Sequence, residues 1–221
     1  VALARAVGYF SAGTVELSQS LYGAAGTRSY TFRRFRYMLD FNGFDGLSKF
    51  EIEDVEFNCL GLCSGVMLPN SGSNTRIISC TFNQPQARAL TSSGTGCQGL
   101  VVDMCQFLSN EASLPAVDRT TIAMNIQAND TKIRDNRVVR FAHFAVVNGT
   151  GHLIHANHFF QGDDVVAGVR RAGLIFTQTN ISTIVSANYV DNCFIVFVVP
   201  LDETVVDNRF GELRRQLFHR V

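Results

Sequence analysis

The stretch Gly151-His152-Leu153-Ile154-His155-Ala156-Asn157-His158-Phe159-Phe160-Gln161 decides the fold. Its kernel is an aliphatic residue at Ile154, Asn157 three positions on, and Phe159 two beyond that. The kernel recurs as Ile52/Val55/Phe57, Ile77/Cys80/Phe82, Val102/Cys105/Phe107, Ile133/Asn136/Val138, Val185/Asn188/Val190 and Val205/Asn208/Phe210. Its central residue steps through 55, 80, 105, 136, 157, 188 and 208, so successive copies lie 20 to 31 residues apart. A short strand returning at such intervals marks a solenoid, in which each repeat buries its apolar face against its neighbours.

A second apolar segment precedes each following kernel: Val66 to Leu68, Ala87 to Leu90, Ile122 to Ile126, Phe144 to Val147, Leu174 to Phe176 and Ile195 to Val199. Turn residues such as Asn70-Ser71-Gly72-Ser73-Asn74 and Asn148-Gly149-Thr150-Gly151 lie between. Parallel strands need a crossover of a dozen or more residues. The intervals provide one without a helical pattern, which selects a parallel β-solenoid over a βαβ fold. Ile154 and Phe159 must point inward, so the strand bends between them and puts Asn157 on an inside corner. Asn tolerates left-handed backbone. Its amide can also bond to the same amide one coil up and down, so Asn136, Asn157, Asn188 and Asn208 are expected to form a buried ladder continued by Cys80 and Cys105.

With these residues in view, the chain from about Gly13 to Phe210 resembles the right-handed parallel β-helix superfamily, the pectin-lyase-like fold. It looks most like the glycosidase-related β-helices of bacterial surface proteins and phage tailspikes. The fold class expected is all-β, a right-handed parallel β-helix with a short N-terminal capping helix. The whole chain, residues 1–221, is read as one domain: a cap over 1–12 with its helix at Ala2 to Val7, leading strands over 13–49, regular coils over 50–210, and a C-terminal end over 211–221. Tyr30 to Met38, with Arg33, Arg34 and Arg36, reads as a strand with one wet face. The first residue is Val rather than Met, an opening expected of a processed product or a fragment of a longer chain.

Hydrophobic residues make up 46% and charged ones 17%, enough to fill a long core and too apolar for disorder. Net charge is zero, so nothing global points to nucleic acid. The longest apolar run, Phe194 to Val199, is far too short to span a bilayer, and no signal peptide is visible. Of the six cysteines, Cys80 and Cys105 stack at one kernel position, where a disulfide is geometrically open but two small buried side chains are the expected reading. Cys59 and Cys63 lack the second half of a zinc site.

Gly162-Asp163-Asp164 is similar to the Gly-Asp-Asp segment of polygalacturonases, whose carboxylates protonate the leaving group and activate water. The resemblance thus makes Asp163 and Asp164 the candidate catalytic pair, the two carboxylates that inverting glycoside hydrolysis requires. The rest of that family's pattern is absent: no Asn-Thr-Asp lies a coil earlier, no Gly-His-Gly a coil later, and no Arg-x-Lys downstream. Both residues also fall in a 31-residue interval, so a solvated loop is the competing expectation. A Ca²⁺-dependent lyase would need a convergent acidic cluster. Glu51, Glu53, Asp54 and Glu56 alternate across a strand instead, so no metal and no other cofactor is expected. His143 and His152 flank a turn and read as solvated.

The outward face says more. Stacking in register puts Glu56, Thr81, Gln106, Arg137, His158, Tyr189 and Arg209 in one column, and Glu53, Ile78, Asp103, Arg134, His155, Ser186 and Val206 in a second. Arg134, Arg137, His155, His158 and Tyr189 are therefore the candidate substrate-binding residues. Guanidinium forks recognise carboxylates and sulfates, and Tyr can stack on a sugar face. Six steps of about 4.8 Å span roughly 29 Å, room for several sugar units.

The expected function is recognition, with or without cleavage, of an acidic extracellular polysaccharide, on the outside of a cell or on a virion surface. A non-catalytic structural or adhesive stalk is the rival, and the calcium lyase a third reading. A homotrimer is implied by the tailspike resemblance alone.

Overall fold

The computed structural model describes residues 6–11, 14–17, 36–44, 46–92, 96–114, 118–161, 171–177, 182–191, 193–197, 203–206, 209–210 and 218–220. By its contacts the chain divides into two compact units, Val1–Arg33 and Arg34–Val221. In the first, strand Ala6–Ser11 pairs antiparallel with Thr14–Leu17. The latter is the leading strand read from the sequence. Of the capping helix expected over Ala2 to Val7, residues 2–5 lie outside those described, and Ala6 and Val7 open the strand Ala6–Ser11. No α-helix occurs among the described residues.

The second unit is a parallel β-solenoid. Each kernel copy forms two strands rather than one. The first stack contains Glu51–Glu53, Arg76–Ile78, Val101–Asp103, Lys132–Arg134, Leu153–His155, Thr183–Ser186 and Glu203–Val206. The second contains Glu56–Asn58, Thr81–Asn83, Gln106–Leu108, Arg137–Val139, His158–Phe160, Tyr189–Val190 and Arg209–Phe210. A third, eight-stranded sheet runs from Tyr37–Asp40 through Ser64–Met67, Arg88–Thr91, Ile122–Gln127, His143–Asn148, Arg171–Phe176 and Cys193–Phe197 to Phe218–Arg220. The kernel strands stack seven deep, and about five turns close through all three sheets. A minor three-stranded sheet of Leu47–Ser48, Ser71–Ser73 and Gly96–Gln98 occupies one corner, where the sequence suggested only turns.

The register is the one the kernel dictates. Ile52, Ile77, Val102, Ile133, Ile154, Val185 and Val205 pair in one row. Phe57, Phe82, Phe107, Val138, Phe159, Val190 and Phe210 pair in another. From Ile77 to Val185 the first row is fully buried, and Phe82 stacks between Phe57 and Phe107 with ring centroids 4.9 and 5.0 Å apart.

Strict alternation would put Ile154 and Asn157 on opposite faces, since they are an odd number apart. One left-handed residue resets the alternation. It is not the Asn, as its tolerance of that conformation suggested, but the residue before it: Asp54, Ser79, Met104, Asp135, Ala156 and Ala187 all have φ between 52 and 55°. The strain is offset by coil-to-coil bonds. Ser79 N–H donates to Asp103 O at 3.0 Å and Ala156 N–H to Ser186 O at 3.2 Å. Past the corner the ladder reverses, with Arg137 N–H donating back to Cys105 O and His158 N–H to Asn136 O.

That reversal explains the Asn. The central residue's N–H points to the next coil, and the acceptor it meets there is a side-chain amide. Asn136 Oδ1 accepts from Cys105 N–H at 2.9 Å, Asn157 Oδ1 from Asn136 N–H at 3.1 Å, and Asn188 Oδ1 from Asn157 N–H at 3.0 Å. Asn136 Nδ2 also donates to Asn157 Oδ1, and Asn157 Nδ2 to Asn188 Oδ1, each at 2.9 Å. The three amides are buried in one column as expected; Asn208 lies outside the described residues. Cys80 and Cys105 continue the column as free thiols, each Sγ donating to carbonyls that include one of the preceding coil, Ile52 O and Ile77 O.

Candidate functional site

The candidate binding residues come from two of the three sheets, one on each side of the left-handed corner. Arg134 and His155 end strands of the first sheet; Arg137, His158 and Tyr189 begin strands of the second. Because Asp135 and Ala156 reset the alternation, residues on both sides of the corner face outward, and all five are exposed. Within the second sheet the pairing Gln106–Arg137–His158–Tyr189–Arg209 is continuous. Within the first, Asp103, Arg134, His155 and Ser186 are continuous likewise.

The two columns differ electrostatically. Arg134 is committed: its Nε and Nη2 donate to Asp103 Oδ2 at 2.9 and 2.6 Å. Asp103 is only 4% exposed although it stands on an outward position, because the Arg134 side chain lies against it. The pair stands at the surface, with the Arg134 side chain itself 48% exposed, so Arg134 covers Asp103 and is occupied by it without entering the core. His155 is also engaged, its Nδ1 2.9 Å from Ser186 Oγ. Arg137 differs: among the described residues no carboxylate pairs with it.

Beside Arg137 stands an aromatic pair. The His158 and Tyr189 rings meet edge to face at 4.8 Å and 87°. The His158 ring also meets Phe160 at 6.3 Å and 83°. Phe160 belongs to a column that the sequence reading left out: Leu108, Val139 and Phe160, two residues beyond Gln106, Arg137 and His158, paired in register and half-buried. Period-two alternation along the strand was the available signal. The second sheet thus presents a polar and aromatic strip beside an apolar one.

The candidate acid and base, Asp163 and Asp164, lie outside the described residues. His152, read as solvated, is 1% exposed, because it occupies an inward row between Thr131 and Thr183 at the strand start. His143 is half-buried at the start of a third-sheet strand.

In the other 31-residue interval, between Cys105 and Asn136, Glu111 ties the segments 109–114 and 118–121 together. Glu111 accepts from the N–H and Oγ1 of Thr120 at 2.7 and 2.8 Å and from those of Thr121 at 2.8 and 2.8 Å. Partial burial opposes ionisation of Glu111, but these four donors outweigh it and hold its pKa below the ordinary glutamate value. From the same interval the buried Arg119 donates Nη1–H to Gln161 O at 2.6 Å, and Arg140 Nη1–H reaches Ala112 O at 2.8 Å.

Compared with protein-family models and with curated proteins, the sequence gives no match.

Proposed function

We propose that this protein is a polysaccharide-recognising β-solenoid whose contact surface is the outer face of the second sheet, centred on Arg137, His158 and Tyr189. The observation that carries the reading is the uncommitted Arg137 guanidinium directly below the His158–Tyr189 pair in one strand-to-strand column. A guanidinium can fork a carboxylate or sulfate, and Tyr offers a flat apolar face to a sugar ring. An acidic glycan supplies both partners. A chain lying along the column would meet a new side chain about every 4.8 Å. Arg134 and His155, across the corner, flank the contact but are already engaged by Asp103 and Ser186. Such a ligand belongs outside a cell or on a virion surface, and a homotrimer, implied by the tailspike resemblance alone, is a further expectation that mass measurement tests.

A rigid stalk is the second reading. The unbroken amide column and the Phe57–Phe82–Phe107 stack favour it, because both stiffen the solenoid along its axis.

Calorimetric titration with an acidic oligosaccharide and its neutral counterpart separates the two. Recognition predicts binding of the acidic chain only, weakening with salt because exposed charges are screened within about 8 to 10 Å. Arg137→Ala should weaken it at least ~10-fold, as loss of a charge-assisted contact implies, with an unchanged thermal midpoint. Equal, undetectable binding of both glycans supports the stalk. Product analysis of the same mixtures extends the test to cleavage, since reducing ends mark a hydrolase and unsaturated ends a lyase. If cleavage occurs through Asp163 and Asp164, either Asp→Asn change should remove at least ~100-fold of the rate.

A further inference from the structure

The first complete coil turns from the second sheet into the third through Cys59-Leu60-Gly61-Leu62-Cys63. Leu62 N–H donates to Cys59 O at 2.9 Å, and Leu60 and Gly61 take successive left-handed conformations, φ 52 and 69°. These are the marks of a tight type I′ turn. The turn reverses the chain so sharply that Cys59 and Cys63, four apart in sequence, stand at its two feet, near enough for each thiol to perturb the other's pKa. It also projects into solvent, for Leu60 and Leu62 are 51% and 49% exposed. Its flanks are held by the next coil: Gly61 N–H donates to Gln84 O and Gln86 N–H to Cys63 O.

The described cysteines otherwise differ in kind. Cys80, Cys97 and Cys105 are at most 1% exposed, and their Sγ atoms are engaged with Ile78 O, Thr75 Oγ1 and Asp103 O. Cys59 is also sealed, at 2%; Cys63 alone of these five is part-exposed. One accessible thiol thus neighbours one buried thiol across a turn at the surface.

We propose that Cys63 is a thiol–disulfide exchange site, with Cys59 as the buried thiol that resolves it into a disulfide spanning the turn. The reagent is a small disulfide such as oxidised glutathione. The Cys63 thiolate attacks one sulfur of the reagent, whose S–S bond breaks as a glutathione thiolate leaves, forming a mixed disulfide at Cys63. Cys59, deprotonated in turn, attacks Cys63 Sγ and expels the second glutathione. Two protein thiols lose two protons and two electrons, and the reagent's disulfide takes them up as two thiols. The order follows from the surroundings. Burial raises the Cys63 pKa and the Cys59 hydrogen bond draws it back, whereas burial and the neighbouring Cys63 push Cys59 up to about 12. Thiolate first forms where reagent can reach it. The product ties the end of strand Glu56–Asn58 to the start of Ser64–Met67.

The whole chain is exposed to oxidised glutathione, quenched with an alkylating reagent and mapped by peptide mass spectrometry. The wild type should yield a Cys59–Cys63 disulfide, faster at higher pH. Cys59→Ser should instead accumulate glutathione on Cys63, at least ~10-fold faster than Cys97 is modified, because reactivity follows accessible thiolate. Cys63→Ser should leave Cys59 reduced, and Cys63→Ala repeats that test with a different side chain. Alkylation of Cys59 and Cys63 as free thiols throughout, or modification of Cys63 no faster than Cys97, overturns the proposal.

Discussion

Asn157→Leu is the sharpest test of the physical account of the fold. The native amide makes four bonds through its side chain. Oδ1 accepts from the N–H and Nδ2 of Asn136, at 3.1 and 2.9 Å; Nδ2 donates to Ile133 O and Asn188 Oδ1, both at 2.9 Å. Leu fills a similar volume but supplies none of them. Asn188 Oδ1 keeps the Asn157 backbone N–H, so the damage falls on Asn136, which is 1% exposed and loses its acceptor for two donors. A buried donor left unpaired costs about 1–3 kcal/mol. Two such donors, partly relieved by apolar packing of the Leu, give an expected loss of about 3–5 kcal/mol. Asn157→Cys should cost roughly half as much, because a thiol can donate to Ile133 O as the Cys105 thiol does to Ile77 O. Urea unfolding followed by far-UV circular dichroism measures both, the midpoint shift being converted with a slope shared by wild type and variants. A loss below about 1 kcal/mol for Asn157→Leu, or a Cys variant as unstable as the Leu variant, refutes the claim that the ladder carries corner stability.

Arg134→Ala should lower the thermal midpoint only slightly, because the pair is a surface one and Asp103 gains water once the side chain that covers it is gone. Differential scanning calorimetry showing a large drop for Arg134→Ala, recovered in Arg134→Ala/Asp103→Asn, would contradict that account. For Glu111 the folded-state pKa is depressed, so its stabilisation is fully present above the unfolded-state glutamate value and fades as pH falls through the folded one. Amide protection in 109–114 and 118–121, corrected for the intrinsic pH dependence of exchange, should therefore fall in acid, and Glu111→Gln should show low protection there at neutral pH with the acid dependence removed.

Much of the solenoid was legible because its core imposes a repeating row of apolar side chains. The kernel spacing alone aligns Ile154 with Ile133 and Val185, and Phe159 with Val138 and Val190, since a slip of one residue would turn each row to solvent. The outward columns followed from the same register, including the succession Arg137, His158, Tyr189. What the linear pattern could not locate was the corner. Asp54, Ser79, Met104, Asp135, Ala156 and Ala187 share no side-chain chemistry, because hydrogen bonds between coils, rather than residue type, hold their left-handed backbone. Nor could it tell two arginines apart. Arg134 and Arg137 are three residues apart and equally exposed in kind, yet one meets the Asp103 carboxylate and the other meets none among the described residues. Side-chain alternation is a local property that sequence carries by itself; which charges are already neutralised depends on neighbours 31 residues away, and only the stacking of coils brings those into contact.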